Sequence, residues 1–339
     1  MKNHIFCFIA LLVLPSLYGQ LEITFNYDMI EGIQTLRTED TITDIRFEQL
    51  VSSQGTQGFL KKMKSYRPSA NEKAFKESLG HLLTESDAPD LFFYSRVKPK
   101  FQIGAEFVTN LKTEESKIKR ALIESLGDFL PASNQRHITL YFVFGAIGGG
   151  WTMDGEPNSF YIDVSSFEKN DAVGLQLLCK HEVLHLIQDQ TRPKLSKNEP
   201  AAYYIEQAFR EGMATYVADF TKVENASGYA LFNQKIYNKN QRRKETNYRL
   251  FELLVIDLFE QRCDYDFVDD LSLSGMYDSP AYFVFYDMMR TMESKLGTSQ
   301  VVKLLELSAI DFIWSYEQLE ETDYQFSEKF SQVLAKLKH

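Results

Sequence analysis

The sequence predicts an α+β fold, mainly helical, with a small sheet immediately before a central pair of helices. Three features lead there. Apolar residues recur at helical spacing over most of the chain; the pattern turns β-branched and aromatic at residues 137–144 and 160–164; and two long helical patterns follow at 172–190 and 200–221. The 339 residues hold 37 Lys and Arg against 47 Asp and Glu, a net charge of −10, and 44% of side chains are hydrophobic. Such a chain is globular, and it offers no run of positive charge for a nucleic acid or an anionic membrane surface. Three cysteines exclude a disulfide scaffold, and the 14% aromatic content fits a Phe-rich helical core.

The first element is an address. Lys2 and His4 precede an apolar run over residues 5–14, then comes Pro15, and Gly19 stands before Gln20. This is the plan of a secretory signal peptide, residues 1–19, with cleavage expected after Gly19. The apolar run is well short of the roughly 20 residues that a membrane-spanning helix needs, and no other segment approaches that length. The mature chain is therefore expected to be exported, to the periplasm or outside the cell, without a membrane span. Losing Lys2 leaves 36 basic against 47 acidic side chains, a net charge of −11. Cys7 leaves with the signal, and Cys179 and Cys263 remain, able to pair in an oxidising compartment if the fold brings them together.

Residues 20–135 read as an N-terminal, mostly helical region with helices over 47–66, 71–84 and 114–130, the last stopped by Pro131. No element is assigned before residue 45. Residues 136–339 form the second region. Its strand at 137–144 is apolar on both faces and so is expected to be buried, the turn Gly148-Gly149-Gly150-Trp151 follows, and a short strand covers 160–164. The helix over 172–190 has Asn170 or Asp171 as its cap and Arg192-Pro193 as its stop, and Pro200 opens the next helix at a first helical position. Helices over 249–262, 280–296 and 301–307 complete the reading.

The first central helix carries His181-Glu182-Val183-Leu184-His185. Residues four apart on a helix lie about 40° apart around the axis, so both imidazoles face one way and can grip one metal ion. Glu182 stands on the flank, where a carboxylate can reach a water molecule without being a ligand. Leu177, Leu178, Leu184, Leu186 and Ile187 mark the helix as buried, and two histidines on one face of a buried helix need a partner.

A hydrolytic zinc site takes three protein ligands and keeps one position open. The second central helix offers Glu206 and Glu211, five residues and so roughly 140° apart, which excludes both pointing at one ion. Around Glu211 stand Gln207, Ala208, Ala214, Thr215 and Ala218, small enough for another helix to come close, whereas Glu206 shares its side with Tyr203, Arg210 and Met213, a more surface-like set. Glu211 is the choice and Glu206 the alternative. Asp219 and Asp189 are candidates to accept a hydrogen bond from a ligand imidazole.

The string His181-Glu182-Val183-Leu184-His185, followed 26 residues after its last His by Glu211-Gly212-Met213-Ala214-Thr215-Tyr216, resembles the gluzincin class of zinc metallopeptidases. The Glu-Gly-x-Ala-x-Tyr part resembles a bacterial family of zinc-dependent peptidases assigned by motif and catalogued as a domain of unknown function. The likeness is tight over residues 181–220, looser over the strands before and over Pro280-Ala281-Tyr282 after, and absent before about residue 136. The gap before Glu211 is longer than in thermolysin-like members. What the resemblance implies is a zincin-like metallopeptidase core in residues 136–339, with one Zn2+ per chain held by His181, His185 and Glu211, and Glu182 as catalytic base.

Three accessory expectations bear on mechanism. In folds of the gluzincin type a strand beside the active helix holds peptide by strand addition; residues 160–164 are placed to resemble it, with a purely structural strand as the alternative. The Gly148 to Trp151 turn is either a lip over the cleft or a connector. Tyr282, at a helix start after Ser279-Pro280, is the candidate donor to the oxyanion, with Tyr216 and Tyr277 as alternatives. Cys179 lies about 160° around the helix from His181 and is expected in the core, and His81 and His137 have no partner at metal spacing. The function expected is an exported zinc peptidase acting on a peptide or protein substrate; the alternatives are a non-catalytic zinc-binding exported protein and a zinc hydrolase of a non-peptide amide. Oligomeric state is left open.

Overall fold

Among the described residues, helices from the first half of the chain pack on a four-stranded sheet, those of the second half pack mainly on one another, and the first strand comes from a stretch the sequence leaves unassigned. The computed structural model describes residues 21–39, 42–83, 86–129, 135–145, 148–153, 155–274 and 277–338. The expected signal peptide with its cut at Gly19, and the helix stop at Pro131, lie outside the described residues.

The N-terminal part runs β1 (Leu21–Asn26), α1 (Asp28–Glu39), α2 (Asp44–Ser52), α3 (Gln54–Tyr66), α4 (Glu72–Leu83) and α5 (Tyr94–Leu126). In β1 the buried Leu21, Ile23 and Phe25 alternate with more exposed neighbours, the period of a strand with one face in the core. The expected helix over 47–66 is two helices, because Ser53 takes up extended backbone and caps α3 through the Thr56 N–H. The expected helix over 114–130 is the second half of the 33-residue α5. Its first half carries Pro99, which removes a backbone donor and interrupts the helical signal. The Asp90 carboxylate accepts hydrogen bonds from the N–H groups of Tyr94 and Ser95 and so starts this helix.

Next come β2 (Arg136–Val143), β3 (Gly150–Trp151) and β4 (Ser159–Asp163), in a sheet of order β1-β2-β4-β3. β1 pairs parallel to β2 from Leu21 against Arg136 to Asn26 against Tyr141, so strands from both expected regions share one sheet. β2 is parallel to β4, and β3 is antiparallel to β4. On one face the rings of Tyr141, Tyr161 and Trp151 stack with centroids 5.0 and 5.6 Å apart. α3 lies directly on this ladder: a Cβ at Gly58 would come within 2.1 Å of the Tyr161 ring.

β4 has a partner on each side and all five of its residues are buried. Of the two roles considered for residues 160–164, this burial is that of a structural strand, and the edge of the sheet on this side is the short β3, paired with Tyr161 and Ile162. The Gly148 to Trp151 turn is tied down, since the Gly148 N–H donates to Asp163 and the Gly149 N–H to Ser166.

The rest of the chain is helical: α6 (Ala172–Thr191), α7 (Pro200–Val217), α8 (Gly228–Arg242), α9 (Lys244–Phe259), α10 (Tyr265–Ser272), α11 (Pro280–Leu296), α12 (Thr298–Leu304), α13 (Ala309–Glu317) and α14 (Glu328–Leu337). α6, α7, α9, α11 and α12 answer the expected helices within a few residues at each end. Among the described residues, no helix is long and apolar enough to cross a membrane. Cys179 is buried and Cys263 half-buried, and both are free thiols.

Candidate metal centre and its cleft

α6 begins where Asp171 accepts the Gly174 N–H at 3.0 Å, and it ends before Pro193, so the five-residue motif falls in its middle. Leu177, Leu178, Val183, Leu184, Leu186 and Ile187 are buried around it. His181, Glu182 and His185 are each only half-buried among these buried neighbours. α7 starts at Pro200, whose missing N–H costs nothing at a first helical position, and packs beside α6.

Glu211 of α7 meets both imidazoles. Its Oε2 lies 3.2 Å from His181 Nε2 and 3.3 Å from His185 Nε2, and the two nitrogens are 3.2 Å apart. Ligand atoms around a tetrahedral zinc with bonds of about 2.0–2.1 Å are separated by about 3.3–3.4 Å. The triangle therefore has the dimensions of one face of such a site. Its chemistry fits as well, because three lone-pair-bearing atoms converge on one point and need a cation there. Glu206 is not part of it: it is 2% exposed and paired with Arg192, whose Nη2 donates to Oε2 at 2.8 Å and whose Nε donates to Oε1. The more surface-like environment expected for Glu206 is thus corrected; the Arg192 that buries it comes from the end of α6, a contact helical spacing cannot reveal.

Without a metal, the same atoms share protons. Burial opposes a charge on His185, but the Glu211 carboxylate outweighs it and lifts the imidazole to about 9. Burial likewise opposes the Glu211 charge, and His185 and His181 overcome it, holding that carboxyl well below the usual carboxylate range. Glu182 moves the other way: burial pushes it up, with the two imidazoles only partly offsetting this. A carboxylate raised toward neutrality is suited to accepting and returning a proton.

Of the residues named as imidazole acceptors, neither Asp219 nor Asp189 bonds a histidine. Asp189 pairs with Arg210, and Asp219 accepts from Tyr286 Oη at 3.0 Å and from Thr221. The acceptor is Gln188, which sequence reasoning missed: its Oε1 lies 2.8 Å from His185 Nδ1, while its amide nitrogen donates to the Arg210 carbonyl at 3.0 Å. Only its spacing, one helical turn after His185, could have signalled it.

Tyr282 of α11 lies over His181, ring planes 20° apart and centroids 6.4 Å apart. Burial and the adjacent Glu211 carboxylate drive its hydroxyl well above the ordinary phenol range, so it stays a donor. Gly212 makes this approach possible, since a Cβ there would fall 2.3 Å from Phe285 Cβ and 3.1 Å from its Cα. Tyr216 lies beside Glu293 instead, and Tyr277 is exposed. His81 bonds the Ala88 carbonyl and His137 faces Glu22, both away from the triangle.

His181, Glu182 and Tyr282 open on a cleft of about 340 Å³ walled by α8 and α11. A larger cavity of about 750 Å³, between the start of α7 and the ends of α9 and α14, contains neither histidine nor Glu211.

No curated protein and no solved structure matches the chain. A family model does, over residues 47–325, and its description reads "Putative zinc dependent peptidase (DUF5700)". That match takes in α2 through α13, and with them all three corners of the triangle. With most of its length matched and a His181, His185 and Glu211 group able to hold a metal, the chain belongs to this family of zinc-dependent peptidases.

Proposed function

We propose that the protein is an exported peptidase of the gluzincin type, which hydrolyses peptide bonds at one zinc ion held by His181, His185 and Glu211, with Glu182 as general base. The observation that carries this reading is the triangle of 3.2, 3.2 and 3.3 Å beside a half-buried, upshifted carboxyl that opens on a cleft. Zinc bound there would polarise the scissile carbonyl and acidify a water molecule. Glu182 accepts the proton of that water as its oxygen adds to the carbonyl carbon, and returns it to the departing nitrogen as the C–N bond breaks. The Tyr282 hydroxyl donates a hydrogen bond to the carbonyl oxygen as negative charge builds on it. Gln188 holds the Nδ1 proton of His185, which keeps the Nε2 lone pair pointed at the triangle. Export rests on the leader at residues 1–19.

A closed, non-catalytic zinc site is the second reading. The half-buried imidazoles and their cleft favour an open site over it. Digestion of a broad peptide library by the zinc-loaded mature chain tests the proposal. Cleavage that a chelator abolishes and zinc restores is the expected result, and an uncut library with zinc still bound would rule the peptidase reading out.

A further inference from the structure

The cleft beside His181 and Glu182 has a definite chemistry. One wall is the face of α8 that carries Tyr229, Phe232 and Ile236, spaced three and four residues apart so that they form one stripe. Phe232 is 61% exposed, an uncovered ring at the edge of a concave site. The other wall is α11, where Phe283 and Tyr286 pack against Tyr237 with ring centroids 5.8 and 5.5 Å apart. Among the described residues that line the cleft, the one formal charge besides Glu182 and His181 is Asp278, and it is held by two cations that are not part of the lining, Lys239 at 3.0 Å and Arg243 at 3.2 Å. An acidic side chain entering here would be desolvated with no cation in the lining to meet it, and a basic one would find Asp278 already paired. A ring or a branched aliphatic group would bury its surface against five aromatic or aliphatic side chains, Phe232, Ile236, Tyr237, Phe283 and Tyr286. At about 340 Å³ the space lies at the small end of ligand sites and suits a single side chain rather than a folded segment.

From this we infer that the cleft is a specificity subsite for one bulky uncharged side chain, best an aromatic ring, of a peptide whose adjacent bond lies at His181 and Glu182. The inference rests on the zinc peptidase reading and names its substrate class: peptides with a large apolar residue next to the cleaved bond.

Four hydroxamates test it by calorimetric titration of the zinc-loaded protein: acetohydroxamate, 3-phenylpropanohydroxamate, succinate monohydroxamate and 6-aminohexanohydroxamate. All chelate alike, and they differ in presenting a methyl, a phenyl, a carboxylate or an ammonium group. The phenyl probe should bind at least about tenfold tighter than the methyl probe, and the two charged probes no tighter than the methyl one. Phe232→Ala and Ile236→Asp should each bring the phenyl-to-methyl ratio toward one, with the methyl probe reporting in the same sample that the metal site is intact. Equal affinity for all four probes, a charged probe matching the phenyl one, or an unchanged ratio in both variants would overturn the subsite and leave the zinc site standing. Binding of none of the four to protein shown to hold zinc would overturn the open-site reading, and the subsite with it.

Discussion

His185 donates its Nδ1 proton to Gln188 Oε1 at 2.8 Å, and the same glutamine side chain reaches the Arg210 carbonyl, one residue before Glu211. A single neutral side chain thus sets the tautomer of one candidate ligand and the spacing of the helix that brings another. Replacing it with leucine keeps the volume and removes both bonds. Gln188→Leu should weaken zinc binding by about 10–100-fold, read by competition with a chromophoric chelator. Gln188→Glu, which still accepts the Nδ1 proton, should recover part of that loss; equal weakening in both variants would mean the tether acts only on packing.

Glu206 and Glu211 separate cleanly by experiment. Glu206→Gln leaves Arg192 buried with one partner fewer and should destabilise the fold by about 3–5 kcal/mol while zinc still binds one per chain. Glu211→Gln should lose most of its zinc. Denaturant unfolding and metal analysis on the two purified proteins check this, and the reverse pattern would make Glu206 the ligand.

In the metal-free protein His185 is raised from 6.5 to about 9. A folded value above the unfolded one means that the protonated form stabilises the fold. That contribution is complete below pH 6.5 and is lost as the pH rises through about 9. Thermal unfolding of the metal-free protein should therefore fall steadily over this interval, and zinc should remove the decline because the ion replaces the proton. A flat profile without metal would mean that His185 and Glu211 do not share a proton as their geometry implies.

Much of the site was legible because its chemistry is local. His181, Glu182 and His185 sit within five residues on one helix, and spacing alone puts both imidazoles on one side. Glu211 is preferred to Glu206 in the sequence because small residues flank it, and the structure sets its carboxylate 3.2 and 3.3 Å from the two imidazoles. The burial of Glu206 was not legible, since it depends on Arg192 arriving from the end of another helix. Asp189 looked a suitable acceptor by charge, but an arginine on the facing helix takes it, and a neutral glutamine has no feature in the sequence that marks it out. In the fold, helices bounded by Pro200 and Pro280 were placed at their first residue because proline fixes the backbone there. β1 was missed although Leu21, Ile23 and Phe25 alternate plainly; six residues next to a presumed cleavage point carry little weight until β2 is seen beside them.

The central claim is that Glu182 moves the proton while His181, His185 and Glu211 hold the metal. Glu182→Gln separates these duties, because it keeps the shape and removes the base. Zinc content and peptide hydrolysis measured on the same preparation give the most direct test. One zinc per chain with hydrolysis lowered by about 10²–10⁴-fold is the expected result; full hydrolysis with zinc bound would contradict the account.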